Sequence, residues 1–158
     1  MKIASAFGAV LDRIGAETLR LCEQFEAKQL NAPLGLPESN TAFQLATHIA
    51  GATEFWVVEM GGGIAVRRDR PQEFRASGSI EQLRARYADW MSEVRSVLES
   101  IDDRGLSRVV TPKAEYAAAG GLASELTVAD CILHAIEHAA LHLGHLEITR
   151  QIVARARD

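Results

Sequence analysis

The segment Cys131–Ile152 reads CILHAIEHAALHLGHLEITRQI and carries four of the chain's five histidines, at 134, 138, 142 and 145. Its apolar residues recur at three- and four-residue steps, the period of an amphipathic helix rather than a strand. At about 100° per residue the four histidines, with Cys131, Thr149 and Ile152, fall within a sector of roughly 80°. Leu141 and Ile148 flank that sector, so the imidazoles are expected to face the interior. An unpartnered polar group costs a few kcal/mol when buried, and that cost recurs along the stripe unless something satisfies it.

Working outward, three earlier segments carry the same period. Ile3, Phe7, Val10, Ile14, Leu21 and Phe25 mark a first helix, which LNAPLGLPESN interrupts with two prolines and a glycine. Asn40 or Thr41 then reads as an N-cap for a second helix, ended near Met60 by GGG. After the irregular stretch GGGIAVRRDRPQEFRASG, Ser79 and Gln82 have capping-box spacing. They open a third stripe: Ile80, Leu83, Tyr87, Trp90, Val94, Val97 and Ile101. A loop spans roughly 104 to 126, where SRVVTP leaves room for a short strand pair and glycines 120 and 121, like 61 to 63, would permit a mobile lid. Thr127 and Asp130 resemble a second capping box before the histidine helix, which runs nearly to the C-terminus. Four amphipathic helices without a convincing alternating strand predict an all-α four-helix bundle. The long connections predict at least one crossover, so neighbours in sequence need not be neighbours in the bundle.

The bulk properties set bounds. With 158 residues, a single domain over 1–158 is the simplest reading. The formal net charge of -4 lacks the basic field of a nucleic-acid binder. No run reaches the length of a membrane span. Two cysteines without a CxxC pair suggest no disulfide framework, and a cytoplasmic location is the expectation. IASAFGAVL resembles a signal-peptide core, but Asp12 and Arg13 follow and the helical spacing continues through them.

A divalent metal would satisfy the histidines, because neutral imidazole is a strong ligand for zinc, nickel or iron. Residues three or four apart on a helix sit on one face about a turn apart, which qualifies the pairs 134/138, 138/142 and 142/145. The remaining histidine, His48, belongs to the inward stripe Leu45, His48, Ala52 and Phe55 of the second helix. Two histidines from one helix and one from another make a three-ligand set with an open fourth position. Di-iron carboxylate schemes fail for want of ExxH motifs. A zincin scheme fails because Ala135 and Ala139 follow His134 and His138, while Glu137 turns away from the histidine face. The alternative is a hydrogen-bonded polar core without metal. It requires carboxylates at matching depth, which the first and third helices barely offer.

The early histidine of the second helix and HAIEHAALHLGHLEITRQ resemble the DinB/YfiT-like superfamily of small bacterial bundle proteins. The resemblance spans essentially the whole chain. It implies a four-helix bundle with a long crossover connection and a three-histidine site for one divalent ion, zinc or nickel. The matching positions are His48, His138 and His142, with HLG at 142–144 resembling the family's H-x-G step. His145 stands where the family often has glutamine, so it is open as a fourth ligand, as a hydrogen-bond donor behind a ligand, or as a mere variant. His134 lies outside the triad and reads as a residue supporting the ligands from behind or as core. Two activities on a small-molecule substrate follow from the resemblance: hydrolysis by metal-activated water, and transfer or isomerisation with a low-molecular-weight thiol as co-substrate. With no motif glutamate as base, the thiol chemistry is at least as attractive, because a metal lowers a thiol's pKa directly. No catalytic side chain is assigned.

The competing class is a non-catalytic metal-binding or stress-response bundle protein with a structural ion. Such a site would be closed by His134, His145 or Cys131. Cys131 shares the histidine face one turn before His134, although a small buried hydrophobe is the simpler reading. Thr149 can offer its hydroxyl to a histidine ring or bond back to its own helix. Arginines 67, 68, 70 and 75 in RRDRPQEFR suit a clamp for an acidic substrate, with a solvated surface loop as the plainer reading. Trp56 and Trp90 read as core, and Arg150 as a surface partner of Glu147. A homodimer is a further expectation, with no interface marked by the sequence.

Overall fold

The computed structural model describes residues 2–119 and 122–155. Four long helical rods dominate: α1 (Ile3–Cys22), α3 (Ala42–Thr53) with a π-helical continuation Glu54–Gly61, α5 (Ile80–Ser100) and α8 (Val128–Arg155). Short helices fill the connections: α2 (Ala27–Leu30), α4 (Arg70–Glu73), α6 (Asp103–Leu106) and α7 (Ala114–Ala119). Phe25 is therefore outside the first helix, which ends three residues earlier than its stripe suggests. The loop expected over 104–126 is partly structured. Its strand β1 (Val109–Val110) pairs antiparallel with β2 (Leu126–Thr127), as SRVVTP left room for. Gly120 and Gly121 lie outside the described residues.

The helix starts are chemically specified. Thr41 Oγ1 accepts from Gln44 N at 3.2 Å while Gln44 Oε1 accepts from Thr41 N at 2.9 Å. Ser79 and Gln82 make the same reciprocal pair, and so do Thr127 and Asp130. Each box satisfies donors that a helix N-terminus otherwise leaves unpaired, a contribution of about 1 kcal/mol apiece.

The rods form a ring in which α1 packs against α5 and α8, and the α3 rod against α8 and α5. α5 and α8, joined by a long connection, thus lie across a diagonal, which is the expected crossover, as do α1 and α3; the other long connection joins the neighbours α3 and α5. Inside the ring Trp90, Tyr87, Leu11, Leu83, Leu98, Ile132 and Leu146 are almost wholly buried, and each such side chain contributes about 1.5–3 kcal/mol. Tyr87 escapes an unpaired hydroxyl by donating to Ala46 O at 2.8 Å. Gly15 lets Trp90 reach α1, since a Cβ there would sit 2.3 Å from the indole.

The seam between α3 and α8 positions the site. The two rods run antiparallel: Leu45 shares a cavity wall with Thr149, His48 faces His142 and His138, and Trp56 faces His134. The π-helical stretch EFWVVEMG is apolar on most sides, burying Phe55, Trp56, Val57, Val58 and Gly61. Gly62 N bonds to Val57 O at 2.9 Å, the wider π spacing, and Gly63 ends the rod at φ 71. No helix among the described residues is long and apolar enough to cross a membrane.

Candidate metal centre

His48 is buried on α3, while His138 and His142 are half-buried one turn apart on α8. One ligating atom from each lies within 4.8 Å of the others. His48 Nε2 and His138 Nε2 face each other at 3.2 Å. Two nitrogens each about 2.0–2.1 Å from a tetrahedral ion stand about 3.3 Å apart, so this pair already has the spacing that one ion needs.

The tautomer of His48 is set by a residue that the helical periodicities do not reveal. Glu73, at the end of α4, places Oε2 2.7 Å from His48 Nδ1. Arg68 donates through Nε to Glu73 Oε1 at 2.8 Å and through Nη2 to Oε2 at 3.1 Å. Burial alone would raise the Glu73 pKa, but the hydrogen bonds from His48 and Arg68 outweigh it and hold the carboxyl below its ordinary range. An ionised carboxylate only accepts, so His48 Nδ1 carries the proton and its Nε2 lone pair points at His138. Gly51, one turn on from His48, makes this possible: a Cβ there would lie 2.3 Å from Glu73 Oε1.

In RRDRPQEFR, Arg67, Arg70 and Arg75 are exposed, as the plain reading of a solvated loop expects, but Arg68 and Glu73 depart from it. The side chains of Arg68 and Glu73 are only 6% and 7% exposed. Asp69 caps α4 by accepting from Gln72 N at 3.0 Å, with Pro71 in the first turn. An Asp followed two residues later by Pro is a helix-start signal, and it was the one available pointer to Glu73. Phe74 covers the site, its ring 4.6 Å from that of His48.

Burial keeps the imidazoles of His138 and His142 neutral. Burial first, then the neighbouring His142, His48 and His134, lower the His138 pKa to about 3. Burial, followed by His48 and His145, lowers that of His142 to about 4. Neutral imidazole is the ligating form. His138 Nδ1 is buried with no hydrogen-bond partner, so a self-satisfied polar core is incomplete at this residue. A single carboxylate, Glu73, serves His48 alone.

The other candidates fall around the trio. His134 is half-buried against Trp56, with ring centroids 4.8 Å apart, and lies 5.9 Å from the His138 ring; burial lowers its pKa. His145 is exposed, its Nδ1 3.3 Å from His142 Nδ1, which makes it a neighbour of the group and not a member. Cys131 is fully buried, and burial pushes its thiol up to about 11, as fits a small core residue. Thr149 is buried in the wall of an apolar cavity of about 300 Å³ that also meets His142 and His145. Its hydroxyl makes no hydrogen bond to a histidine among the described residues. Leu141 and Ile148, expected to mark the interior, are 57% and 54% exposed; His138 and His142 turn inward because α3 and α4 cover them from the side, whereas His145, expected to face the interior with them, is exposed. Arg150 pairs with Glu147 as expected, and Glu137 is exposed.

Comparison with known proteins agrees with this arrangement at the level of family and fold. No curated protein matches the chain. A solved structure described as a conserved protein from Enterococcus faecalis superposes with a TM-score of 0.73 at 18% identity, over 98% of both chains. At that identity the likeness concerns the fold alone. A family model described as the DinB superfamily matches residues 11–146. The chain belongs to the DinB superfamily.

Proposed function

We propose that the chain holds one divalent ion, zinc or nickel, on His48, His138 and His142, and is an enzyme acting on a small molecule. The observation that carries this reading is the convergence of three imidazole nitrogens from two helices within 4.8 Å, with Nε2 of His48 and Nε2 of His138 already 3.2 Å apart. A divalent ion in an open three-histidine shell lowers the pKa of a water or thiol placed against it.

Within that reading, transfer or isomerisation with a low-molecular-weight thiol is favoured over hydrolysis. Glu73 is the carboxylate at the site, and both its oxygens are engaged by His48 and Arg68. It orients and cannot readily serve as a general base. Thiol chemistry asks least of a protein base. The non-catalytic alternative needs a fourth protein ligand, and neither His134, His145 nor Cys131 belongs to the converging group.

The test is metal content by plasma mass spectrometry on tag-free protein, wild type beside His138→Ala, followed by thiol-consumption and hydrolysis assays on the loaded protein. The expected result is about one ion per chain, lost in the variant, with turnover that depends on added thiol. A wild type that takes up no divalent ion would sink the reading.

A further inference from the structure

On the side of the trio away from the apolar cavity lies a depression of about 50 Å³, lined by His48, His138, His134, Arg68, Arg70 and Tyr116 among others. Its charge is unbalanced. Arg68 is matched by Glu73, but Arg70 makes no ion pair among the described residues. The Arg70 guanidinium instead lies over the Phe74 ring, 5.5 Å from its centroid, and Phe74 in turn stacks on His48. Arg68 is wedged between Phe55 and Tyr116, 5.8 and 5.6 Å from the two centroids. With Nε and Nη2 given to Glu73, its Nη1 has no hydrogen-bond partner among the described residues. Two guanidinium groups thus border a small recess beside the rings of His48, His134 and His138, and one carboxylate offsets them. A bound divalent ion would add to the excess.

We infer that the substrate of this site carries a carboxylate, received in this recess by Arg70 and by the unengaged nitrogen of Arg68. The inference rests on the metal-centre reading above and names the substrate class for it. Size favours a carboxylate over a larger anion: a water-sized group needs about 10–15 Å³ of such space, so the recess admits the three heavy atoms of a carboxylate. Geometry favours it as well, because a planar guanidinium fork matches a carboxylate edge to edge. Arg68, only 6% exposed and stacked between two rings, is held in place beforehand, so less of its side-chain entropy is lost on binding; Arg70 is exposed and rests on Phe74.

The test is a titration of zinc-loaded protein with sodium acetate, and with uncharged acetamide as the isosteric control, at constant ionic strength. Binding is followed by the NMR shifts of the His134 and His138 ring nitrogens, in wild type, Arg70→Gln and Arg70→Lys, after zinc content has been measured in each. Acetate is expected to bind the wild type, with a dissociation constant raised about tenfold or more in Arg70→Gln. Arg70→Lys, which keeps the charge and loses the fork, should fall between them, and acetamide should bind no better to the wild type than to Arg70→Gln. Equal acetate affinity in wild type and Arg70→Gln at equal zinc content would overturn the carboxylate inference and leave the metal centre standing. Protein that takes up no zinc would overturn both.

Discussion

Nδ1 of His48 lies 2.7 Å from Oε2 of Glu73, and that contact decides which nitrogen of His48 faces His138. The two residues are 25 positions apart, one in a long helix and one in a four-residue helix of the connection that follows. A carboxylate behind a ligating histidine fixes ring orientation and raises ligand basicity.

Glu73→Gln should therefore weaken metal binding by about 10–100-fold without abolishing it, as measured by competition with a chelator. The same change leaves the buried Arg68 without its counter-charge, a loss of about 3–5 kcal/mol for a buried pair. Thermal unfolding of the metal-free variant should fall by several degrees. An unchanged chelator competition would remove Glu73 from the account of the site.

Gly51→Ala tests the same contact from the other side. Alanine normally gains up to about 1 kcal/mol over glycine within a helix, but here its Cβ would collide with Glu73 Oε1. The variant should be less stable than wild type and bind metal more weakly. Gly144→Ala is the control: nothing lies within 4 Å of the position, so urea unfolding should show a gain of up to about 1 kcal/mol.

The metal-free protein should lose stability as pH falls through the histidine range. His138 and His142 have folded-state pKa values lowered to about 3 and about 4, below the unfolded value of about 6.5. Between those limits the unfolded chain binds more protons, so stability rises with pH up to about 6.5 and is flat above it for these groups. Urea titrations at pH 5 and 7.5 should differ in that sense, and His138→Gln should reduce the slope. Greater stability at pH 5 would contradict the burial of these rings as neutral groups.

His145→Ala and Cys131→Ala should each retain about one ion per chain, since neither residue joins the converging group. His145→Ala should lower affinity modestly, through loss of the neighbour at His142 Nδ1. Loss of the ion in either variant, by elemental analysis, would mean that the site is closed by that residue.

Much of this was legible in the chain. The stripes of the long helices, the capping pairs at Thr41, Ser79 and Thr127, and the inward direction of His48 follow from helical periodicity and cap chemistry. Glu73 and its buried pairing with Arg68 did not follow, because a four-residue helix is too short to show a period and their burial depends on a connection folding back over α3. Leu141 and Ile148 misled for a related reason. Apolar neighbours on one helix do not establish burial when the cover comes from another segment. The π-helical stretch was hidden because an all-round apolar sequence reads alike at either helical period.

The most direct test of the central claim is X-ray absorption at the zinc edge of the loaded protein, with and without an added small thiol. Three imidazole nitrogens at about 2.0–2.1 Å with a light fourth scatterer are expected, and a sulfur at about 2.3 Å when the thiol is present. A four-imidazole shell, or sulfur already present without added thiol, would contradict an open three-histidine site and point to a closed structural one.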